Sequence, residues 1–480
     1  MATSTRKKVV IVGGGPAGAA AAKAMADRGY QVDLFEAYPN PSLLSNTSSK
    51  AYVIALSPRG QKGIQDATGI DPVTNVPGAI VSTTMARHGK KKARTIKHDA
   101  TPSLIVTRKA LTQYLLDAAK ASGVDIHFQQ RLEEIDFEKR CATFVASSSD
   151  CDPDSTTTSN RTGKKTTQVV EYDLLIGADG SNSKVRNLMA SNLKEFTVRT
   201  EEDSMEYQVV VLPPKSLFPS EVDFPEGTMH AWNNKEYNAI CLGLPVLKGT
   251  MLAIVFPAGK LASFRTSGYR PVLEALLPDV VESSYPEIEK QLRENQIGSG
   301  GLCVWSSHLG LNGVILLGDS GHGMWPSLGQ GANCALESVA VFTQCLDDLP
   351  ADSASWTNEL LQRFQDARSI DAKAAVDLTY GGIGTRKARG RQNAPLSFKL
   401  QIAGMMLLNK LSFGIIPKPA LLQILSGSMI SYSKAYKYNF YYEKYMCLII
   451  TAAVFIPLIW SQLKVGTGSN LNSPGGHDSL

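Results

Sequence analysis

Two textures alternate along this chain, and they predict two kinds of sheet. Val9 to Val12 is an unbroken apolar run of strand length, followed by Gly13-Gly14-Gly15-Pro16-Ala17-Gly18, an alanine-rich helical stretch from Ala19 to about Arg28, and a strand from Gln31 to Phe35 ending on Glu36. Unbroken apolar runs of this kind suit strands buried on both faces. Tyr172–Gly177 and Gly313–Leu317 repeat the texture, and Ser103–Thr107 and Gly123–Phe128 read as further short strands. Lys50 to Gly60 reads as an extended segment turning into a helix, and Leu132–Phe137 with Cys141–Ala146 as a hairpin. Arg108 to Ala119 puts Leu111, Leu115 and Ala118 on one helical face. From about Met205 to Pro257 the pattern changes to short β-rich stretches (Tyr207–Leu212, Met229–Trp232, Tyr237–Leu244, Met251–Phe256) divided by Pro and Gly turns. This predicts an antiparallel sheet inserted into an α/β domain.

The first glycine run has the context that gives G-x-G-x-x-G its meaning, with a strand before it and a helix after it. Gly13 permits the tight turn, Gly15 lets the backbone approach a pyrophosphate, and Gly18 lets helix and strand pack closely. The helix start beside them offers free N–H groups to an anion. Glu36 is placed to take ribose hydroxyls and would repel a 2′-phosphate, which favours FAD or NAD over NADP as the resident dinucleotide. A second elaborate segment runs from Gly318 to Glu337 (GDSGHGMWPSLGQGANCALE). It reads as a strand end carrying Asp319, a Pro/Gly-rich loop, and a helix from about Asn333 to Leu346. Asp319 suits sugar hydroxyls, and the loop's backbone amides suit a phosphate or a polar ring edge. Arg59 of the SPRG segment faces either a pyrophosphate or solvent.

Composition changes this picture little, since 480 residues with a formal charge of +5 give no sign of nucleic-acid binding. The seven cysteines show no C-x-x-C spacing, which fits a reducing compartment, and the seven histidines show no metal-ligand spacing. Arg87, Lys90, Lys91, Lys92, Arg94 and Lys97 cluster around Gly89 in a predicted hairpin tip, open to solvent, anionic lipid or a visiting NADPH. Residues 147–167 form a polar low-complexity loop. Met1 to Lys8 is too short and polar for a secretory signal, so the folded part is expected in the cytosol. Tyr445 to Leu463 is uncharged between Lys444 and Lys464, and as a helix it spans about 28 Å, close to a hydrocarbon core of about 30 Å. It reads as a C-terminal membrane helix with the folded part on the cytosolic side, the alternative being a buried helix.

The strand-borne glycine motif, the Asp-Gly segment LIGADGSNSKVR and the GDSGHGMWPSLGQGANCALES segment resemble the single-component FAD-dependent aromatic hydroxylases. Within these, YVIALSPRG, LIVTRKALTQYLL, ARSIDAKAAVDL and SGSMISYSKAYKY are most similar to the kynurenine 3-monooxygenases. The resemblance implies a Rossmann-like FAD domain in three parts, 1–80, 105–195 and 306–375. A substrate domain would be built from an excursion at 81–104 and a sheet at 196–305. A helical region at 376–444, the membrane helix at 445–463 and a polar tail at 464–480 would follow. It further implies that Gly13, Gly15, Ala17, Gly18 and Glu36 hold the adenosine diphosphate, with Arg108 and Arg59 at the pyrophosphate. Asp179 and Gly180 would touch FAD beside the nicotinamide approach, and Gly318 and Asp319 would meet the ribityl chain. Pro326, Gly329, Gln330, Gly331, Ala332 and Asn333 would lie beside the isoalloxazine. FAD would be resident, with NADH or NADPH visiting as reductant, and oxygen would reach an electron-rich aromatic through a flavin hydroperoxide. The enzyme would be attached to the outer mitochondrial membrane or the endoplasmic reticulum.

Arg87 matches the arginine that holds the kynurenine carboxylate, but Pro102 and Gly427 stand where those enzymes carry tyrosines. The resemblance therefore implies a larger or less polar aromatic, or an isoprenoid-like lipid, as substrate. Two further readings stay open: another FAD oxidoreductase on this fold (an epoxidase, an isoprenoid reductase or a halogenase, the last without its W-x-W-x-I-P), and a Rab-escort-type binder without enzymatic activity.

Overall fold

The computed structural model describes residues 6–43, 52–87, 94–97, 102–146, 167–212, 227–247, 249–350, 355–381, 396–411, 413–414, 417–425, 427–438, 456–457 and 459–460. Its centre is a six-stranded sheet in the order Gly310–Leu311, Val314–Leu316, Leu174–Gly177, Lys8–Val12, Gln31–Glu36 and Asp125–Phe128. All pairings are parallel except that of Gly310–Leu311 with Val314–Leu316. The apolar runs are here because both faces are covered: Val9, Val10, Ile11, Leu174, Leu175 and Ile176 are wholly buried. Lys8–Val12 lies in the middle, with the chain passing to opposite sides of it. Its carboxyl end is therefore the crevice where open α/β sheets bind ligands.

The first helix is Pro16–Asp27, three residues earlier than the alanine pattern indicated. Proline tolerates the first helical position because its missing N–H would have had no partner there. Its face Ala19–Ala22 is wholly buried and packs with Leu111, Leu115 and Leu116 of helix Arg108–Ala121. On that second helix Ala119, not Ala118, is the fully buried small residue.

The inserted sheet has seven strands in the order Gly298–Ser299, Met205–Leu212, Gly249–Pro257, Ala239–Val246, Thr228–Asn234, Thr83–Arg87 and Arg94–Lys97. It is not purely antiparallel. Thr83–Arg87, carried in by the excursion, pairs parallel with Thr228–Asn234. The sequence pattern also passed over helices Lys260–Ser267, Arg270–Leu276 and Tyr285–Glu294, which cover one face of this sheet and bury Tyr285, Ile288 and Leu292. The signal of the third was the 3–4 spacing of those three residues.

The helix after the Gly318 strand end runs Gly331–Asp347 and packs directly on helix Pro58–Thr68. A Cβ on Gly60 would stand 2.2 Å from the Asn333 Oδ1, and one on Gly63 2.7 Å from the Leu336 carbonyl carbon. Only glycine permits that separation.

Of the basic run, Arg87 and Arg94 close a hairpin between strands Thr83–Arg87 and Arg94–Lys97, while its tip, 88–93, lies outside the described residues. The polar loop also lies outside them from 147 to 166. Among the described residues no helix is long and apolar enough to cross a membrane. The expected span Tyr445–Leu463 lies outside them except for Ile456, Pro457, Ile459 and Trp460, and of these Ile456, Ile459 and Trp460 are exposed.

Candidate active site

At the carboxyl end of Lys8–Val12 the chain turns so tightly that the Gly13 N–H donates to the Phe35 carbonyl at 2.8 Å. Gly13 has φ +103°, and a Cβ there would stand 2.4 Å from the Ala178 carbonyl oxygen. Gly18 is equally constrained, with a Cβ 2.0 Å from the Gly13 carbonyl oxygen. Gly15 differs. Its Cβ would meet only the Arg108 Nη2, at 3.4 Å, so a small open space separates this backbone from a guanidinium. Gly15 caps helix Pro16–Asp27 with no side chain on the free N–H groups. An uncapped helix start, a backbone without side chain and an arginine across the gap fit a pyrophosphate. Glu36 borders the turn and holds it, accepting from the Gly14 N–H at 2.6 Å and the Tyr38 N–H at 2.9 Å.

Gly318 adopts φ +62°, and a Cβ on it would lie 3.4 Å from that of Ala17 and 3.0 Å from that of Ala335. The phosphate turn, the second strand end and the loop helix therefore meet at one point. Asp319 follows there, half-buried. Burial pushes its carboxyl above the usual carboxylate range, and Arg108 and Arg186 pull against that shift. Burial likewise raises the phenol of Tyr52, which lies beside Arg108 with the guanidinium 5.9 Å from its ring centre.

Asp179 does not turn its carboxylate freely into the crevice. It accepts from the Lys184 and Val185 N–H groups at 2.7 and 3.1 Å and from the hydroxyls of Ser183 and Ser320 at 2.5 and 3.1 Å. It therefore satisfies the first free N–H groups of helix Lys184–Asn192, whose N-cap is Ser183. Gly180 donates its N–H to the Ser320 Oγ at 3.1 Å, and Arg186 binds the carbonyls of Ser320 and Ser181. Arg186 and Ser320 were not singled out in the sequence; the signal was their place inside the two motifs.

The loop between the Gly318 strand end and its helix contains a short turn Pro326–Leu328, Gly329 at φ +61°, and Gln330 as the helix cap. Gly331 starts the helix, and Ala332 packs partly against the main core. Asn333 is buried and serves as a structural tie. Its Nδ2 donates to the Ala55 and Gly329 carbonyls at 3.1 and 3.0 Å, and its Oδ1 accepts from the Ser57 N–H at 2.9 Å.

Arg59 faces neither the phosphate turn nor solvent, which corrects the sequence expectation. It is buried, paired with Glu337, bonded to the Ile430 carbonyl, and stacked 4.3 Å over the Tyr432 ring. Helix Pro58–Thr68 turns it away from the dinucleotide end and toward the C-terminal segment. Arg87 stands opposite Trp232 in the substrate-domain sheet, and its side chain lies outside the description.

Behind the loop helix, His322 is buried with its Nε2 2.8 Å from the Ser338 Oγ and its Nδ1 3.8 Å from the Cys334 Sγ. Ser338 already donates its hydroxyl to the Cys334 carbonyl, so His322 is the donor through Nε2. Burial, aided by the nearby Arg368 cation, pushes the imidazole down to about 3, and burial pushes the Cys334 thiol up to about 12.

Residues 6–242 match the family described as FAD binding domain. The chain is similar to the kynurenine 3-monooxygenase of Debaryomyces hansenii, at 26% identity over 75% of this chain and 76% of that one. The kynurenine 3-monooxygenase of Phaeosphaeria nodorum is 27% identical over 78% and 77%, and that of Xanthomonas axonopodis pv. citri 28% over 75% and 74%. Among solved structures, 2-methyl-3-hydroxypyridine-5-carboxylic acid oxygenase shares the fold with a TM-score of 0.59 at 21% identity, covering 89% of this chain and 100% of that one. PqsL, a probable FAD-dependent monooxygenase from Pseudomonas aeruginosa, shares it with 0.59 at 17%, covering 81% and 98%. The protein is an FAD-dependent monooxygenase with the aromatic-hydroxylase fold, using NAD(P)H as reductant. Within that class it is kynurenine 3-monooxygenase-like.

Proposed function

We propose that this monooxygenase hydroxylates an electron-rich aromatic that is less polar than kynurenine. The observation that carries the reading is the face of the seven-stranded sheet that its helices leave free. Register places Val209, Ala253, Leu242, Ala231 and Ala86 in one row across it, and Val211, Met251, Leu244, Met229 and Thr84 in the next. The only charge in either row is Arg94, which stands opposite Ala86 on the edge strand. The helices cover the opposite face, so this face turns toward strands Val53–Leu56 and Ser103–Thr107, where Leu244 and Met229 pack with Val53, Ala55 and Ile105. The Ala55 carbonyl is itself bonded by Asn333, so the apolar face adjoins the loop Pro326 to Asn333. A zwitterionic amino acid placed over the middle of these rows, away from Arg94 at the sheet edge, would lose hydration without finding a charged partner. Pro102 and Gly427, in place of tyrosines, fit the same conclusion.

In this reading Gly13, Gly15, Ala17, Gly18 and Glu36 hold the adenosine diphosphate, Arg108 its pyrophosphate, and Gly318 and Asp319 the ribityl hydroxyls. The loop Pro326 to Asn333 presents backbone amides to the flavin ring and orients it against the substrate. Bound FAD supplies reduction by NAD(P)H and activation of oxygen; the protein supplies orientation and a site closed to water. Tyr445–Leu463 attaches the enzyme to a membrane, a reading supported by its uncharged length and the exposed Ile456, Ile459 and Trp460. The test offers kynurenine and a panel of neutral phenols, anilines and quinolines under ¹⁸O₂. Label should enter one neutral aromatic. Label entering kynurenine in preference to all of them would overturn the substrate class, and unlabelled product from any of them would overturn the oxygen chemistry.

A further inference from the structure

Four segments of the chain meet in a largely buried run of charges behind the flavin-side loop. Arg59 of helix Pro58–Thr68 pairs with Glu337 of the loop helix, and Glu337 pairs with Arg368 of helix Trp356–Gly381 at 2.7 Å. Arg368 lies 3.8 Å from Asp371 on its own helix. Asp371 then accepts from the Tyr432 and Ser433 N–H groups, at 3.2 and 2.9 Å, and so caps the helical turn 432–438. Two cations and two anions balance, and Arg59 and Arg368 are each at most 3% exposed. Glu337 and Asp371 are half-buried, and burying two arginines against them is justified only where the geometry fixes something, because well-packed apolar residues could be as stable there.

What they fix is Tyr432. Its backbone is held by Asp371, its ring lies beneath Arg59, and its hydroxyl donates to the Gln330 Oε1 at 2.9 Å with both residues buried. Gln330 caps the loop helix without using its side chain for the cap; its Nε2 reaches the Leu328 carbonyl only at 3.5 Å, so the shorter bond from Tyr432 dominates the direction of that side chain. We infer that Tyr432 is a positioning residue. Through its hydroxyl on Gln330 it sets the flavin-side loop, and the Arg59–Glu337–Arg368–Asp371 chain holds it in place. The inference rests on reading Pro326 to Asn333 as flavin-side. It assigns to the C-terminal segment a part in the reaction that is independent of any membrane attachment.

Tyr432→Phe removes one hydroxyl and leaves the ring under Arg59. One lost hydrogen bond at about 1 kcal/mol corresponds to roughly fivefold. Amide hydrogen exchange across residues 326–333 should therefore quicken about fivefold in the flavin-free variant, with helix Pro16–Asp27 unchanged. A Gln330→Ala variant should quicken it similarly, and the double variant should add nothing further. With FAD bound, a larger share of NAD(P)H equivalents should end as hydrogen peroxide, with KM for the substrate moving less than the coupled turnover. Unchanged exchange in 326–333, or full additivity in the double variant, would overturn the inference. Addition of FAD to the wild type tests the loop assignment separately. If FAD does not slow exchange in 326–333, the flavin-side reading fails, while the tie between Tyr432 and Gln330 is still decided by the flavin-free variants.

Discussion

His322 makes the acid stability of this protein a readable quantity. Its imidazole is buried and pushed down to about 3 from an ordinary value near 6.5, by burial first and then by the Arg368 cation. A group whose folded value is depressed in this way stays neutral in the folded state while the unfolded chain takes up a proton. Stability is therefore full above about pH 6.5 and is lost as the pH falls toward 3. The slope approaches about 1.4 kcal/mol per pH unit, and the loss between pH 7 and pH 5 comes to about 2 kcal/mol. His322→Gln keeps an amide in reach of Ser338 and has no proton to gain. The variant will be less stable at pH 7, because its packing against Cys334 is disturbed. Its further loss on going to pH 5 should nevertheless be smaller than that of the wild type by about 2 kcal/mol. Urea unfolding of both proteins at the two pH values, followed by tryptophan fluorescence, measures this difference of differences. If the two proteins lose stability in parallel from pH 7 to pH 5, the imidazole is not held neutral and the burial argument fails.

Other perturbations separate binding from folding. Gly15→Val should fold but purify colourless, since its side chain enters the space between the helix start and Arg108; stoichiometric flavin in the variant would refute the cradle. Gly18→Val should fail to fold, because its Cβ meets the Gly13 carbonyl oxygen, and soluble expression checks this. Arg368→Ala leaves the half-buried Asp371 without its cation and Glu337 with Arg59 alone, and should cost about 3 kcal/mol in urea unfolding, the low end for a broken buried pair. Ending the chain after Lys444 should release protein that still binds FAD, with fractionation in the absence of detergent as the measure.

The dinucleotide turn was legible because glycine spacing is a steric requirement: Gly13 and Gly18 stand where any side chain would collide with backbone. The central strands were legible because burial on both faces leaves an unbroken apolar run. The site's supports were less so. Asp179 looked like a ligand contact, but a carboxylate followed by a serine four residues on is equally a helix cap, and that is how its oxygens are engaged. Arg59 was assigned by its motif, yet the side of its helix is decided by Glu337 and the Ile430 carbonyl, which lie hundreds of residues away. The chain from Arg59 to Tyr432 left no local spacing to read, because each of its links but one joins distant segments. The added parallel strand Thr83–Arg87 was hidden for the same reason, since strand direction within a sheet depends on where the excursion re-enters.

The seam at Gly60 and Gly63 has a mechanical consequence. Helix Pro58–Thr68 and the loop helix Gly331–Asp347 meet backbone to backbone at Gly63, and at Gly60 the Asn333 side chain locks the upper end of the contact. Neither helix can slide or tilt without the other, so together they act as one rigid strut beneath the loop that ends at Gln330. Any rearrangement of that loop must be taken up between Gly323 and Gln330. The strut sets where the loop ends, so a change in the loop falls on the short stretch above it, held there by the bonds of Trp325, Ser327 and Gln330 to other segments.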